Sequence, residues 1–288
     1  MIEYYYGFYN ITLHKHDEQH TFSYQDNTYI FSILKRNEND ISEIFKYTSG
    51  NDYYDQIVVN KYNSIFTDIN GTKYIMVKKT SRNLSVENIV FCSEYLLQVF
   101  NHKSINNRLN WGELWCRKID NIEYQLRHIE NKYPLIEKSI DYYIGMTESA
   151  ISYINNISYD DYQEDKVITH IRIYDKSVNN PQNIILDYRS RDISEYLKYV
   201  FIKNKYDYDF IREKLSLLNF SEFSWQLVYS RLFFPNFYFD IYDKVIINKL
   251  NEESIYSIID RIEEYEIYLD SIYDIICEQK KIPKIIWN

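Results

Sequence analysis

Apolar and polar residues alternate along the first 80 positions of the chain, which is typical of strands that are buried on one side. Strands are predicted on this basis at residues 21–24, 28–34, 56–60 and 72–78. The dipeptides at 26–27 and 70–71, Asp-Asn and Asn-Gly, favour hairpin turns. Apolar residues at helical spacing predict one short helix at 40–46 between the strand pairs. The first part of the chain is therefore expected to form a small sheet layered with a helix.

From Ser85 onward the apolar residues recur every three or four positions, the spacing of one helix face. Helices are predicted at 85–100, 111–130, 134–154, 191–203, 207–219, 221–247 and 253–281. Pro235 is expected to kink or divide one of them. A strand pair at 166–188 interrupts the helices. The predicted fold class is α+β, with a small β-rich amino-terminal lobe at 1–82 and a large helical carboxyl-terminal lobe at 83–288.

The interrupting strand pair carries the chain's most informative chemistry. Its second strand, Asn183–Leu186, ends in Asp187, and Arg191-Asp192 opens the next helix, where Asp192 is expected to be the cap. Small-molecule kinases deliver a metal-binding carboxylate to ATP from such a strand end. We therefore take Asp187 as the candidate metal ligand.

Composition and charge narrow the function classes. A net charge of −9, with scattered Lys and Arg, argues against nucleic-acid binding, which needs clustered cations. The 32 tyrosines accompany many Ile, Asn and Lys residues, so codon bias explains them better than a tyrosine-specific function. The three cysteines are far apart, and Cys92 and Cys116 are expected to be buried free thiols. No signal peptide or membrane-span pattern is seen, so a soluble, cytoplasmic protein is expected.

Four segments resemble the aminoglycoside-phosphotransferase-like kinases, and within them the spore-coat kinase-like proteins of the CotS and YutH type. They are Trp111–Trp115 (WGELW), Asp141–Ile151 (DYYIGMTESAI), Ser190–Tyr196 (SRDISEY) and Ser224–Pro235 (SWQLVYSRLFFP). The resemblance implies a two-lobed kinase-like fold. It also implies a coat- or envelope-associated role in a bacterium, with a location in the spore coat for a spore-former.

The resemblance also says which groups a working kinase would need over the nucleotide. A glycine-rich loop is absent, because the five glycines are dispersed at positions 7, 50, 71, 112 and 145. Lys35, at the end of a predicted strand, is the candidate for the phosphate-binding lysine. Glu43 on the following helix is its candidate ion-pair partner, although an ordinary surface contact is the simpler interpretation.

The catalytic loop departs from the pattern of the family. His170-Ile171-Arg172 places an arginine where the family has its catalytic aspartate, and a guanidinium cannot accept a hydroxyl proton. His170 is expected to be structural. Ser177 stands where the metal-binding asparagine would be, and a rearranged loop would have to supply Asn179, Asn180 or Asn183 instead. Asp175 is the candidate displaced acid. We expect Arg172 or Arg189 to neutralise Asp187 in place of Mg²⁺.

Two functions follow from these departures. The favoured hypothesis is a pseudokinase-type binding or scaffold module that is not an enzyme, with a protein partner and no cofactor. The alternative is a divergent ATP-dependent small-molecule phosphotransferase, which would bind ATP and Mg²⁺ through Asp187. Self-association is left open under both hypotheses.

Overall fold

The computed structural model describes residues 1–16, 19–81, 85–91, 110–129, 132–157, 166–175 and 177–286. The chain forms two compact units. The first contains Met1–Asn107 and Val167–Leu186, and the second contains Arg108–Lys166 and Asp187–Asn288. The domain boundary expected from the sequence stays a prediction. Within the described ranges, none of the helices combines the length and the apolar character that crossing a bilayer requires.

The first unit is built on a six-stranded sheet. Its strands are β1 (His14–His16), β2 (Gln19–Tyr24), β3 (Asn27–Ile33), β4 (Gln56–Ile57), β5 (Thr67–Ile69) and β6 (Thr72–Lys78). Their order is β1-β2-β3-β6-β4, β5 also pairs with β6, and every pairing is antiparallel. The helices that the described residues contribute to this unit are α1 (Ile2–Tyr6), α2 (Glu38–Thr48) and α3 (Val86–Phe91). The strand pair β7 (Lys166–His170) and β8 (Ile184–Tyr188) forms a separate two-stranded sheet.

Both predicted hairpins are present. Asn70 and Gly71 have φ values of +53° and +80°, the left-handed conformations that a tight hairpin turn requires. The other turn lies at Gln25-Asp26, one residue earlier than predicted, because Asn27 already pairs with Tyr24. Residues 14–16 and 19–20, for which no strand is predicted, belong to strands β1 and β2.

The sheet is covered on both faces, as the alternation in β6 shows. Met76 joins an apolar cluster with residues of α1, β2 and β3, namely Ile2, Phe22, Tyr29 and Phe31. The neighbouring side chains of β6 point the other way. They join a second cluster, made of Ile41, Ile44, Tyr54, Ile57, Ile75, Val77, Ile168, Ile184 and Leu186. Ile184 and Leu186 of β8 and the buried residues of α2 thus belong to one hydrophobic core.

The second unit is helical. Its helices are α4 (Trp111–Leu126), α5 (Pro134–Asn155), α6 (Ser190–Ile202), α7 (Tyr208–Ser216), α8 (Glu222–Phe233), α9 (Asn236–Ile246), α10 (Tyr256–Ile259) and α11 (Ile262–Gln279). Pro235 separates α8 from α9, as expected from its missing N–H. The predicted helix at 85–100 is described only as far as Phe91, and its remainder lies outside the described residues.

The core of this unit is aromatic. Tyr143 stacks on Tyr238 with ring centroids 3.8 Å apart, and Trp115 stacks on Phe234 at 4.8 Å. Cys116, next to Trp115, is exposed, so its predicted burial is wrong, because the α4 face that packs inward runs through Trp115 and Ile119. Cys92 lies outside the described residues.

Candidate functional site

Asp187 occupies a fully buried position at the end of β8. Ile184, Ile185 and Leu186 precede it as buried strand residues, and Asp187 itself is 0% exposed. A buried carboxylate requires hydrogen-bond donors or a cation, since leaving it without partners would cost several kcal/mol. Its surroundings in the second unit therefore decide what it can do.

Each oxygen of the Asp187 carboxylate faces two donors. The indole N–H of Trp111 is shared between Oδ1 and Oδ2, at 2.9 and 3.0 Å. The backbone N–H of Tyr188 donates to Oδ1 at 2.8 Å, and Nη1 of Arg191 donates to Oδ2 at 2.7 Å. A carboxylate has about four lone-pair positions, so these contacts occupy its acceptor capacity.

The cation that neutralises Asp187 is Arg191, four residues further along the chain. The expectation that Arg172 or Arg189 would do so is wrong. The reason is that α6 begins at Ser190, directly after the strand, so its first turn brings Arg191 back over the carboxylate. The same early start places Asp192 inside the helix and not at its cap.

Burial and the neighbouring charges have opposite effects on the pKa of the Asp187 carboxyl. Burial raises the pKa of Asp187 above its ordinary value, and the guanidinium groups of Arg191 and Arg231 oppose that rise. The charged form of Asp187 therefore depends on the two arginines being in place.

A second group of buried charges lies beside the first. Arg231 donates through Nε and Nη2 to Oε1 of Glu195, at 3.1 and 2.9 Å. Asn236 donates through Nδ2 to the other oxygen of Glu195 at 3.1 Å. Lys198 donates through Nζ to Oδ1 of Asn236 at 2.6 Å and to the Phe234 carbonyl at 2.8 Å. These polar groups satisfy one another in a buried environment.

Arg231 joins the two groups, because its guanidinium lies 4.8 Å from the ring centroid of Trp111. We refer to the whole set as the buried charge network. Its members are Trp111, Asp187, Arg191, Glu195, Lys198, Arg231 and Asn236, and none is more than 4% exposed. Three cations face two carboxylates within the set, and the buried carboxylate of Asp192 lies in the same helix turn as Arg191.

Four members of the network belong to segments that carry the family resemblance, although no role in charge pairing is predicted for them from the sequence. Trp111, Arg191, Glu195 and Arg231 all lie in the segments that carry the family resemblance. The signal that could have identified them was the presence of charged residues inside otherwise apolar helix stretches. Lys198 and Arg231 are examples, since each is flanked by aromatic and aliphatic residues.

The loop between β7 and β8 is held by its own side chains. His170 is buried, and its Nε2 donates to the Val178 carbonyl at 3.0 Å, a structural contact. Asn183 accepts from the Arg172 backbone N–H at 3.1 Å and donates to the carbonyls of Arg172 and Ser177, at 2.7 and 3.0 Å. The side chain of Asn183 therefore holds the backbone of this loop together through three hydrogen bonds.

The other candidate asparagines also have structural partners. Asn179 donates through Nδ2 to the Tyr53 carbonyl at 2.6 Å. Asn180 accepts from the Gln182 backbone N–H at 2.9 Å and caps a 3₁₀ turn. Asp175 lies on this loop and is exposed to solvent. The chemical roles given to these residues stay predictions.

Lys35 and Glu43 both belong to the first unit. Lys35 follows the end of β3, and its backbone N–H donates to Oε1 of Gln182 at 2.9 Å. Glu43 forms its ion pair with Lys46 on the same helix, at 2.5 Å, so among the described residues it is not paired with Lys35. The roles of Lys35 and Glu43 in binding a nucleotide stay predictions.

The residues present do not suit a divalent cation at Asp187. Magnesium requires carboxylate oxygens that are open to it, and both oxygens already face N–H donors, one of them on a cation. Within the described ranges, no three His, Cys, Asp or Glu side chains are grouped so that they could hold a metal ion.

Comparison with known proteins gives a family and a fold. The profile of the family described as "Spore coat putative kinase YutH" matches residues 1–272. The endospore coat-associated protein YutH of Bacillus subtilis (strain 168) is 26% identical over 205 residues, which cover 62% of this chain. The match spans 60% of the length of that relative.

Solved structures with a similar fold include two phosphotransferases. The AMP-bound spectinomycin phosphotransferase APH(9)-Ia has a TM-score of 0.61 at 12% identity and covers 97% of both chains. An aminoglycoside phosphotransferase from Alicyclobacillus acidocaldarius has a TM-score of 0.59 at 11% identity, covering 93% of this chain and 92% of that one. At these identities the likeness establishes the fold, so the predicted aminoglycoside-phosphotransferase-like α+β class is confirmed.

Proposed function

We propose that this chain, which belongs to the YutH family of spore coat kinase-like proteins, is a coat-associated binding module that does not transfer phosphate. The observation that carries the proposal is the saturation of Asp187. Its two carboxylate oxygens face four donor contacts, from Trp111, Tyr188 and Arg191. A metal ion would have to displace a buried ion pair to bind there, which costs several kcal/mol.

The loop after β7 supports the same conclusion. Arg172 stands where the resembling kinases have an acid, and its permanent charge prevents it from orienting a hydroxyl group. Asn183 is engaged with three backbone groups of the loop, so its release toward a metal would open the loop. Phosphoryl transfer relies on charged groups that are held in position. Here Arg172 has the wrong charge for its position, and Asn183 is hydrogen-bonded to the backbone of the loop.

The coat assignment rests on the family and on the Bacillus subtilis relative, which is named as an endospore coat-associated protein. A module of this kind would act by binding another coat protein. Localisation tests it directly: a fluorescent fusion of the chain, expressed in sporulating Bacillus subtilis, is expected to form a shell around the forespore. Diffuse fluorescence throughout the mother cell would contradict the coat assignment.

A divergent small-molecule phosphotransferase is the second candidate. The observation in its favour is the fold, which it shares with the AMP-bound spectinomycin phosphotransferase over 97% of the chain. In this case Asp187 would be the metal ligand, and the exposed Asp175 would orient the acceptor hydroxyl. The Asp187–Arg191 ion pair would then have to open when nucleotide binds.

Calorimetric titration with ATP, with and without Mg²⁺, separates the two candidates. The binding module is expected to give no saturable Mg²⁺-dependent heat. The phosphotransferase would give saturable binding that ADP competes away and that Asp187→Asn weakens, whereas the exposed control Asp209→Asn would leave it unchanged. If Asp187→Asn does not fold, Mg²⁺-dependent binding by the unaltered chain is by itself enough to overturn the proposal.

A further inference from the structure

Two exposed tyrosines of the first unit meet through their phenol oxygens. Tyr4 on α1 and Tyr62 in the loop after β4 are 58 residues apart in sequence, and their hydroxyl oxygens are 3.1 Å apart. The two residues are 59% and 62% exposed. A pair such as Tyr143 and Tyr238 buries its rings, whereas the rings of Tyr4 and Tyr62 are open to reagents in solvent.

The backbone holds this pair in place. The N–H of Lys61 donates to the Tyr5 carbonyl at 2.8 Å, which ties the loop to α1. Oδ1 of Asn60 accepts from the N–H groups of Tyr62 and Ser64, at 2.9 and 3.1 Å, which shapes the turn. The contact between the two phenols is therefore supported by hydrogen bonds on either side of it.

Lys61 adds a charge to the pair. Its Nζ lies 3.0 Å from the ring centroid of Tyr4 and 5.1 Å from that of Tyr62. The hydrogen bond from Tyr62, followed by the effects of Lys61, lowers the pKa of Tyr4. The phenolate is the form of tyrosine from which an electron is removed most readily, and a lowered pKa makes that form available at a lower pH. Tyr4 is therefore expected to become reactive at a lower pH than a tyrosine of ordinary pKa.

We infer that Tyr4 and Tyr62 form a site of oxidative phenol coupling, at which a haem peroxidase with hydrogen peroxide, or an equivalent one-electron oxidant, joins the two rings. The inference is independent of the proposed function. Its basis is the proximity of two exposed phenols, since holding two reactants together replaces an encounter in solution with a step within one molecule.

The reaction balances as follows. Each phenol loses one electron and one proton, which gives two neutral phenoxyl radicals. The radicals form a carbon–carbon bond between ring carbons ortho to the oxygens, and each of those carbons then passes its proton to its own oxygen, restoring both phenols. The two electrons and two protons reduce one hydrogen peroxide to two water molecules.

The product would be a covalent tie between α1 and the loop after β4. It would close a segment of 58 residues. Cross-links that close long segments stabilise a fold mainly by restricting the unfolded chain. We therefore expect the oxidised protein to unfold at a higher temperature than the untreated protein.

The chain offers a matched control. Tyr9 lies on the same surface and is 58% exposed, but it makes none of the ring contacts or phenol hydrogen bonds found among the described residues. Tyr5 is the competing partner, because its ring lies 5.0 Å from that of Tyr4 and 6.3 Å from that of Tyr62. Phenylalanine variants at Tyr4, Tyr5, Tyr9 and Tyr62 keep the ring and remove the hydroxyl group.

The test is oxidation of the dilute, purified full chain with peroxidase and hydrogen peroxide, followed by trypsin digestion and mass spectrometry. Cleavage after Lys15, Lys61 and Lys73 places Tyr62 alone in the peptide 62–73. The expected product is this peptide joined through Tyr4 to the peptide 1–15, with the mass of two hydrogen atoms lost. Tyr4→Phe and Tyr62→Phe should each lose it, and Tyr9→Phe should keep it.

Lys61→Gln provides a second readout. It removes a charge that contributes to the lowered pKa of Tyr4, so the pH at which coupling becomes fast should move upward while the same two rings are joined. Because the cleavage site after residue 61 is lost in this variant, Tyr62 is then found in the peptide 47–73. The inference is overturned if the joined peptide persists in Tyr4→Phe, if fragmentation maps the bond to Tyr5 or Tyr9, or if coupling occurs only between separate molecules.

Discussion

The indole N–H of Trp111 lies between the two carboxylate oxygens of Asp187, although 76 residues separate them in sequence. This contact fixes the end of β8 against the first turn of α4 within the helical unit. Arg191 approaches the same carboxylate from α6. Two helices and a strand are therefore held together at one buried anion, and loss of either donor should be measurable.

The first prediction concerns Trp111→Phe, which keeps an aromatic ring but removes the N–H donor. We expect the free energy of unfolding to fall by roughly 1.5–3 kcal/mol more than it does in Trp115→Phe, because hydrogen bonds to charged groups contribute about that much. Trp115 is the matched control, since it is equally buried and stacks on Phe234. Denaturant titration of both variants checks this. Equal losses would mean that the N–H contributes nothing.

The second prediction concerns Arg191→Met, which leaves Asp187 buried without its cation. Breaking a buried ion pair from one side costs about 3–5 kcal/mol. Arg212→Met is the control, because its side chain is 43% exposed and its ion pairs with Asp209 and Glu278 lie at the surface. That control should cost less than about 1 kcal/mol.

A second substitution sharpens the Arg191 experiment. Adding Asp187→Asn to Arg191→Met removes the stranded charge, so the double variant should recover part of the lost stability. A double variant less stable than Arg191→Met would contradict the assignment of Arg191 as the partner that neutralises Asp187.

The sequence was sufficient for the fold because its signals are local. Alternation in β6 and turn residues such as Asn70-Gly71 specify hairpins through neighbouring positions. Pro235 ends a helix whatever packs around it, because its missing N–H removes a hydrogen bond within its own turn. Predictions of this kind do not depend on contacts between distant segments.

The candidate site was harder to predict because its contacts join distant segments. The partner of Asp187 was assigned to the wrong arginine, because the choice depends on where α6 begins, and one residue of shift rotates its side chains by about 100°. Nothing in the sequence around Trp111 indicates that its N–H donates to the carboxylate of Asp187, 76 residues away. The direction of a helix face and long-range pairing are properties of packing.

The third prediction concerns pH and Glu264. Arg261 donates through Nε and Nη2 to this carboxylate, at 2.6 and 2.8 Å, and the Tyr206 hydroxyl donates to it at 2.8 Å. The hydrogen bond from Arg261 is the main cause that lowers the pKa of Glu264 in the folded state. The unfolded chain therefore binds a proton here at a pH where the folded chain does not.

The direction in which stability changes with pH follows from that difference in proton binding. Glu264 contributes stability above its ordinary pKa, and this contribution is lost as the pH falls through the lowered folded value. Its side chain is 40% exposed, so solvent limits the contribution to less than about 1 kcal/mol. Glu264→Gln should lower stability slightly at neutral pH and flatten its dependence on pH in the acidic range. Glu263→Gln, exposed on the same turn, is the matched control, and a loss in that variant as large as in Glu264→Gln would contradict the assignment.

The fourth prediction concerns the coupling of Glu195 and Arg231. Both side chains are 3% exposed, so each alone would be a buried, unpaired charge. Glu195→Gln and Arg231→Met should each cost about 3–5 kcal/mol, and the double variant should cost less than their sum by about 0.5–3 kcal/mol. The exposed pair Arg117–Glu113 on α4 is the control, with an expected coupling of about 0.3–0.5 kcal/mol. If the two residues form an ion pair, removing one of them leaves the other as a buried, unpaired charge, and the second substitution removes that charge. A coupling energy at Glu195–Arg231 as small as that of the control would therefore show that the two residues do not form an ion pair in solution.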